Sequence, residues 1–140
     1  MTLPPLLSDL KDFALKCIAA EHYPQSRHVF RMFECDACQS AEFELTIEYH
    51  SGSLKGRFRG VIWGNCSRCE NRKRLFSFTA EHRKLVREVK PICGCGHASF
   101  SVGECERFES DDGIAGFFDE GVVVGKCLNC GRNQAFVYTD

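Results

Sequence analysis

Gly60-Val61-Ile62-Trp63-Gly64-Asn65-Cys66-Ser67-Arg68-Cys69 and Gly121-Val122-Val123-Val124-Gly125-Lys126-Cys127-Leu128-Asn129-Cys130 are two copies of one pattern. In each, a glycine opens a run rich in β-branched residues, a second glycine closes it, and a Cys-x-x-Cys pair follows. Each copy also has an earlier pair, Cys35 with Cys38 and Cys93 with Cys95, followed at the same offset by a strand-like segment carrying Phe43 or Phe100. The repeat divides the chain into two successive cysteine-rich units.

A unit of roughly 50 residues buries little apolar surface, and domains of this size usually need metal or disulfides to be stable. The ten cysteines answer that need. Disulfides belong to oxidising compartments, whereas paired cysteines in a reducing one usually hold metal. Residues 1–10 contain no basic n-region, and Asp9, Lys11 and Asp12 interrupt any apolar run. The expectation is therefore a cytoplasmic chain, with no secretion signal and no membrane span.

A metal site closed by thiolates takes two ligands from one tight Cys-x-x-Cys turn and two from another. The intervals of 27 residues between Cys38 and Cys66 and 31 between Cys95 and Cys127 each leave room for two antiparallel strands. The expected ligand sets are Cys35, Cys38, Cys66 and Cys69 for one ion, and Cys93, Cys95, Cys127 and Cys130 for the other. His97 competes for the second site because Cys93-Gly94-Cys95 is one residue short; His22 and His28 are read as loop or surface histidines.

This arrangement resembles the zinc-ribbon (rubredoxin-like) superfamily over about residues 28–79 and 91–139. The resemblance implies a mainly β fold with minor α, two tandem ribbons, and two structural Zn2+ ions per chain. It also admits iron and electron transfer on the same four-cysteine frame. Ribbon knuckles often carry glycine after the second cysteine, where the backbone takes positive φ. Gly96 and Gly131 follow that habit, and Gln39 and Glu70 depart from it.

Leu6, Leu10, Phe13, Ala14, Cys17 and Ile18 recur at helical spacing, predicting an N-terminal amphipathic helix within residues 1–27 whose apolar stripe packs on a ribbon sheet, with a dimer contact as the alternative. Thr2 and Ser8 compete as its N-cap. Residues 28–34, 41–50, 57–63 and 72–78 read as strands of the first unit. Residues 80–90, with Leu85, Val86 and Val89 at helical spacing, read as a connecting helix. In the second unit, residues 98–108, 122–124 and 135–139 read as strands, with a turn at 110–113. Cys105, between Glu104 and Glu106, reads as an inward-facing, unreactive thiol.

Charge is uneven along the chain. Residues 1–54 hold 4 Lys/Arg and 8 Asp/Glu, residues 55–90 hold 11 and 3, and residues 91–140 hold 3 and 8. The middle block places Arg57, Arg59, Arg68, Arg72, Lys73, Arg74, Arg83, Lys84 and Arg87 near Trp63 and several phenylalanines. Cations beside stacking aromatics are the ingredients of RNA or single-stranded DNA binding. The same asymmetry fits an acidic protein partner, or self-association of basic and acidic halves. No nucleophile with a partnered base and no phosphate-cradling loop is present in the pattern, so a non-enzyme is expected.

Overall fold

The computed structural model describes residues 5–79, 83–108 and 120–140. In chain order these form α1 (Pro5–Cys17), a 3-10 turn (Ala20–His22), β1 (Arg27–Met32), β2 (Glu42–His50), β3 (Gly60–Cys66), β4 (Arg72–Phe78), β5 (Leu85–Val89), β6 (Ser99–Phe108), β7 (Glu120–Cys127) and β8 (Asn133–Thr139). The chain is mainly β, and all strand pairs are antiparallel. Ser8 lies inside α1 and does not cap it; Thr2 and the turn at 110–113 lie outside the described residues. No helix among the described residues is long and apolar enough to cross a membrane.

Each cysteine unit contributes a three-stranded ribbon, β2-β3-β4 or β6-β7-β8. The ribbons meet where β2 pairs with β6, with Phe43 opposite Phe100. The strand that leads into each unit's first cysteine pair then crosses to the other unit: β1 pairs with β6, and β5 pairs with β2. All eight strands belong to one sheet, so the tandem arrangement becomes an interlocked one with reciprocal edge strands.

The expected connecting helix is replaced by strand over Leu85–Val89, while residues 80–82 lie outside the described ones. The reason is tertiary. Short-range spacing of Leu85, Val86 and Val89 suits a helix, but β2 has an unpaired edge over Ile47 to His50 once it diverges from β6. Valine-rich sequence fits that edge, with Val89 opposite Ile47 and Arg87 opposite Tyr49. The expected strand at 57–63 begins only at Gly60, because Leu54 and Arg57 close a small loop first.

Alternation along β2 sends Phe43, Leu45 and Ile47 into a core shared by both units. Phe58, Ile62 and Phe76 meet Phe100, Val102, Val123 and Val137 there, together with Cys35, Cys66, Cys93 and Cys127. At Gly60 a side chain has no room, since a Cβ would sit 1.8 Å from the Glu48 carbonyl oxygen.

A second, smaller core lies under α1, where Leu10, Ala14 and Ile18 bury against Cys105, Val122 and Val124. Burial of Leu10 or Ile18 contributes about 1.5–3 kcal/mol each. The helix therefore packs on the second unit's sheet. Lys126 fixes it there: its buried ammonium donates to Asp9 Oδ2 at 2.9 Å and to the Gly131 carbonyl at 3.1 Å. Hydrogen bonds from Lys126 and Asn133 hold the Asp9 carboxyl below its ordinary range.

Candidate metal centres and the basic residues

Each metal centre is built from hairpin ends. Cys66 and Cys127 end β3 and β7, and the following turn returns the second cysteine beside the first. In three of the four turns the residue four after the first cysteine donates to its carbonyl: Gln39 to Cys35, Glu70 to Cys66 and Gly131 to Cys127. The short Cys93-Gly94-Cys95 turn makes the same closure with one residue fewer, from Gly96. The closing residues all have positive φ: 61° at Gln39, 64° at Glu70, 91° at Gly96 and 78° at Gly131.

Side chains at Gln39 and Glu70 therefore sit in the left-handed region, which costs a non-glycine residue about 1–2 kcal/mol. Glycine gives back part of that through its larger unfolded-state entropy. Glu70→Gly is expected to raise stability by about 0.5–1 kcal/mol, read as a higher urea midpoint with an unchanged slope.

The eight cysteines gather as expected into two groups, Cys35, Cys38, Cys66, Cys69 and Cys93, Cys95, Cys127, Cys130, with sulfurs in each group all within 4.8 Å of one another. Between turns, Cys35 and Cys69 approach to 3.5 Å, Cys38 and Cys66 to 3.6 Å, Cys93 and Cys130 to 3.5 Å, and Cys95 and Cys127 to 3.6 Å. These spacings are far beyond a disulfide bond of about 2.05 Å. They are close to the edge of a tetrahedron with metal–sulfur bonds of about 2.3 Å, which is about 3.8 Å. The donor set thus fits a metal ion in each group.

Hydrogen bonds to sulfur pull some thiols of each cluster down, while Cys69 is pushed up by the Cys35 thiol against the pull of the Asn71 N–H, and Cys93 by burial against the pull of the Cys95 N–H. Cys66 is pulled down to about 6, first by the Cys69 N–H. Cys95 is pulled down to about 6 by the Asn129 side-chain amide and then by the His97 N–H. His97 serves through its backbone, also accepting from the Cys93 N–H at 2.8 Å, and its ring is not part of the cluster. His22 and His28 likewise join neither cluster. In each turn the first cysteine is buried and the second exposed.

The basic block is dispersed by its own strands. Arg59 is buried, donating to the Phe58 carbonyl and to Thr139 Oγ1, and lies 4.2 Å over the Phe78 ring. Lys73 reaches the first metal centre, donating to the Glu34 carbonyl at 2.8 Å and to Asp36 at 3.0 Å. Arg68 pairs with Glu42 at 3.7 Å. Arg72 and Arg74 share the outer face of the first ribbon with Trp63, and Arg72 lies 4.4 Å over its ring. At the opposite end Arg83 donates to the Ser51 carbonyl and Arg87 covers Tyr49, while Arg57 and Lys84 are held there through their backbones, by Leu54 and by Ser51.

Cys105 is fully buried beneath α1, and its thiol is pushed up to about 11, first by burial and then by Glu106. Sequence reasoning attributed its inertness to the carboxylates; removal from water is the larger cause.

Two grooves escaped sequence reasoning, because each is walled on one side by a strand that crosses to the other unit. One separates β1 from β4, and the other separates β5 from β8. Comparison with protein-family models, with curated proteins and with solved structures finds no significant match to this chain. The two four-cysteine clusters are themselves consistent with zinc-ribbon-like modules.

Proposed function

We propose that this chain is a non-enzymatic module held together by two structural zinc ions, and that it acts as a protein-interaction adaptor. Four thiolates at tetrahedral spacing suit zinc and leave no coordination position for water or substrate, which supports a structural role. The residues that would hold zinc are the two cysteine quartets; the ion would supply cross-linking between hairpin ends that the small core lacks.

The observation that carries the adaptor reading is the scattering of the basic block. Arg59 and Lys73 are spent on the chain's own groups, and the remaining cations divide between opposite ends of the first ribbon. A strand of nucleic acid is bound along a continuous basic track, and this distribution does not favour one.

A nucleic-acid reading keeps one specific support, the Trp63, Arg72 and Arg74 patch. Trp63 occupies the position that Val124 has in the second unit, each three residues before a cysteine. Val124 lies beneath α1, while among the described residues no helix covers Trp63. Glu44 and Thr46 flank the same face, Thr46 directly opposite Trp63.

The experiment is a titration of the zinc-loaded chain with single-stranded RNA at low salt, followed by Trp63 fluorescence and by anisotropy of the labelled strand. The expected result is no binding in the micromolar range. Binding that weakens steeply with salt and is lost in the Arg72→Ala, Arg74→Ala double variant would replace the adaptor reading with the nucleic-acid one.

A further inference from the structure

The internal repeat places the same groove twice, so each copy serves as a reference for the other. Counting from matching cysteines and from the Phe43–Phe100 pair, Tyr49 corresponds to Glu106, Ile47 to Glu104, Arg87 to Val29, and Phe136 and Tyr138 to Leu75 and Ser77. The β1–β4 groove, about 520 Å³, is lined by Arg27, Arg31, Glu104 and Glu106. Charged side chains of both signs at an open strand edge are the usual protection against pairing with another chain.

The β5–β8 groove has lost that protection. It measures about 700 Å³, and Tyr49, Leu54, Phe58, Val86, Phe136 and Tyr138 give it an apolar lining. Leu54 and Val86 are 65% and 69% exposed. The other groove also holds Val29, Leu75, Phe76 and Phe108, but there they stand beside two arginines and two carboxylates. Among the described residues, strand β5 is paired on one side only, to β2, and its residues are almost all exposed.

Charge selects the occupant. Lys55 and Arg87 line the groove, and the Arg83 guanidinium donates to the carbonyl of Ser51 at its rim. Among the described residues, no carboxylate lines it. The strand carboxylates Glu48 and Glu88 stand opposite one another on β2 and β5, and Glu48 lies 4.0 Å from the His50 ring.

We infer that the β5–β8 groove receives an extended acidic peptide segment of a partner protein, which adds as a strand to the free edge of β5. Main-chain hydrogen bonds supply the attachment, alternate apolar side chains enter the groove, and intervening Asp or Glu residues meet the basic rim. The inference rests on the adaptor reading and names its site and partner class.

The test is selection of a linear decapeptide library on the full zinc-loaded chain, followed by affinity measurement on variants. Enriched peptides should alternate apolar residues with Asp or Glu. They should bind at least tenfold more weakly to Val86→Glu and to Leu54→Glu, and equally to Val29→Glu in the reference groove. Both test positions are exposed, and matching near-UV spectra and zinc content establish that the variants fold. Enriched peptides that are basic, or that bind Val86→Glu undiminished, overturn the groove assignment while leaving the adaptor reading in place. So does a failed selection, with the RNA titration then deciding the broader role. Concentration-dependent dimerisation abolished by Val86→Glu would assign the groove to a second copy and also overturn the peptide.

Discussion

Cys66→Ser is expected to unfold both halves of the chain in one transition, with loss of both metal ions. A structural zinc site supplies apparent folding free energy on the order of 10 kcal/mol. A domain of this size has a net stability of about 5–15 kcal/mol in total. Opening one site therefore removes most or all of the margin.

The transition is shared because the two centres are anchored in a common core. Cys35 and Cys66 of one site and Cys93 and Cys127 of the other pack in the same buried cluster, around Phe43 and Phe100. Ser67 in one knuckle and Ser99 at the start of β6 are hydrogen-bonded at 2.8 Å. The crossed strands extend the coupling, since β1 leads into the first site while pairing with the second unit. The measurement is metal content by native mass spectrometry with near-UV circular dichroism, for Cys66→Ser and Cys127→Ser in parallel. A Cys66→Ser chain that keeps one ion and half of its near-UV signal would mean that the ribbons fold independently.

That coupling was not legible in the sequence, although its components were. The cysteine turns could be read because their chemistry is local: two thiols on one tight turn, repeated at hairpin spacing. The strands β2 and β4 followed from alternation, and those of the second unit from the repeat of the same scheme. The exchange of β1 and β5 did not, because alternation in residues 27–32 says which face a strand buries and nothing about which neighbour it joins. Leu85, Val86 and Val89 satisfied a helical spacing over too short a stretch for periodicity to outweigh the open edge of β2. The basic block is dispersed for a related reason. Net charge is additive along the sequence, but successive residues on a strand face opposite ways. Arg72 and Arg74 thus part from Lys73, and Arg59 turns inward to Thr139.

The second large effect concerns Arg31 and Glu104, which stand directly opposite one another on β1 and β6. Glu104 is 2% exposed, its Oε1 is paired with the Arg31 guanidinium, and its Oε2 has no hydrogen-bond partner among the described residues. The corresponding pair in the other half is Val89 opposite Ile47, both apolar. Burial and then the Glu106 charge push the Glu104 carboxyl up to about 7 from 4.5, against the pull of Arg31. Below about pH 7 the folded chain takes up this proton while the unfolded chain remains ionised down to about pH 4.5. The Glu104 contribution to stability thus rises as pH falls across that window, by about 3 kcal/mol. Comparison with Glu104→Gln at each pH isolates it, because the opposing proton release of metal binding is common to both chains.

Arg31→Met should cost about 3–5 kcal/mol at pH 8, because a buried carboxylate loses its partner, and distinctly less at pH 6, where the carboxyl is mostly neutral. Replacing the pair with its counterparts, Arg31→Val with Glu104→Ile, should be neutral or stabilising by about 1–4 kcal/mol. Urea denaturation of the four chains at both pH values measures all of this. If the double variant is instead less stable than Arg31→Met, the ion pair fixes the register of β1 on β6, and apolar packing at that position cannot substitute for it.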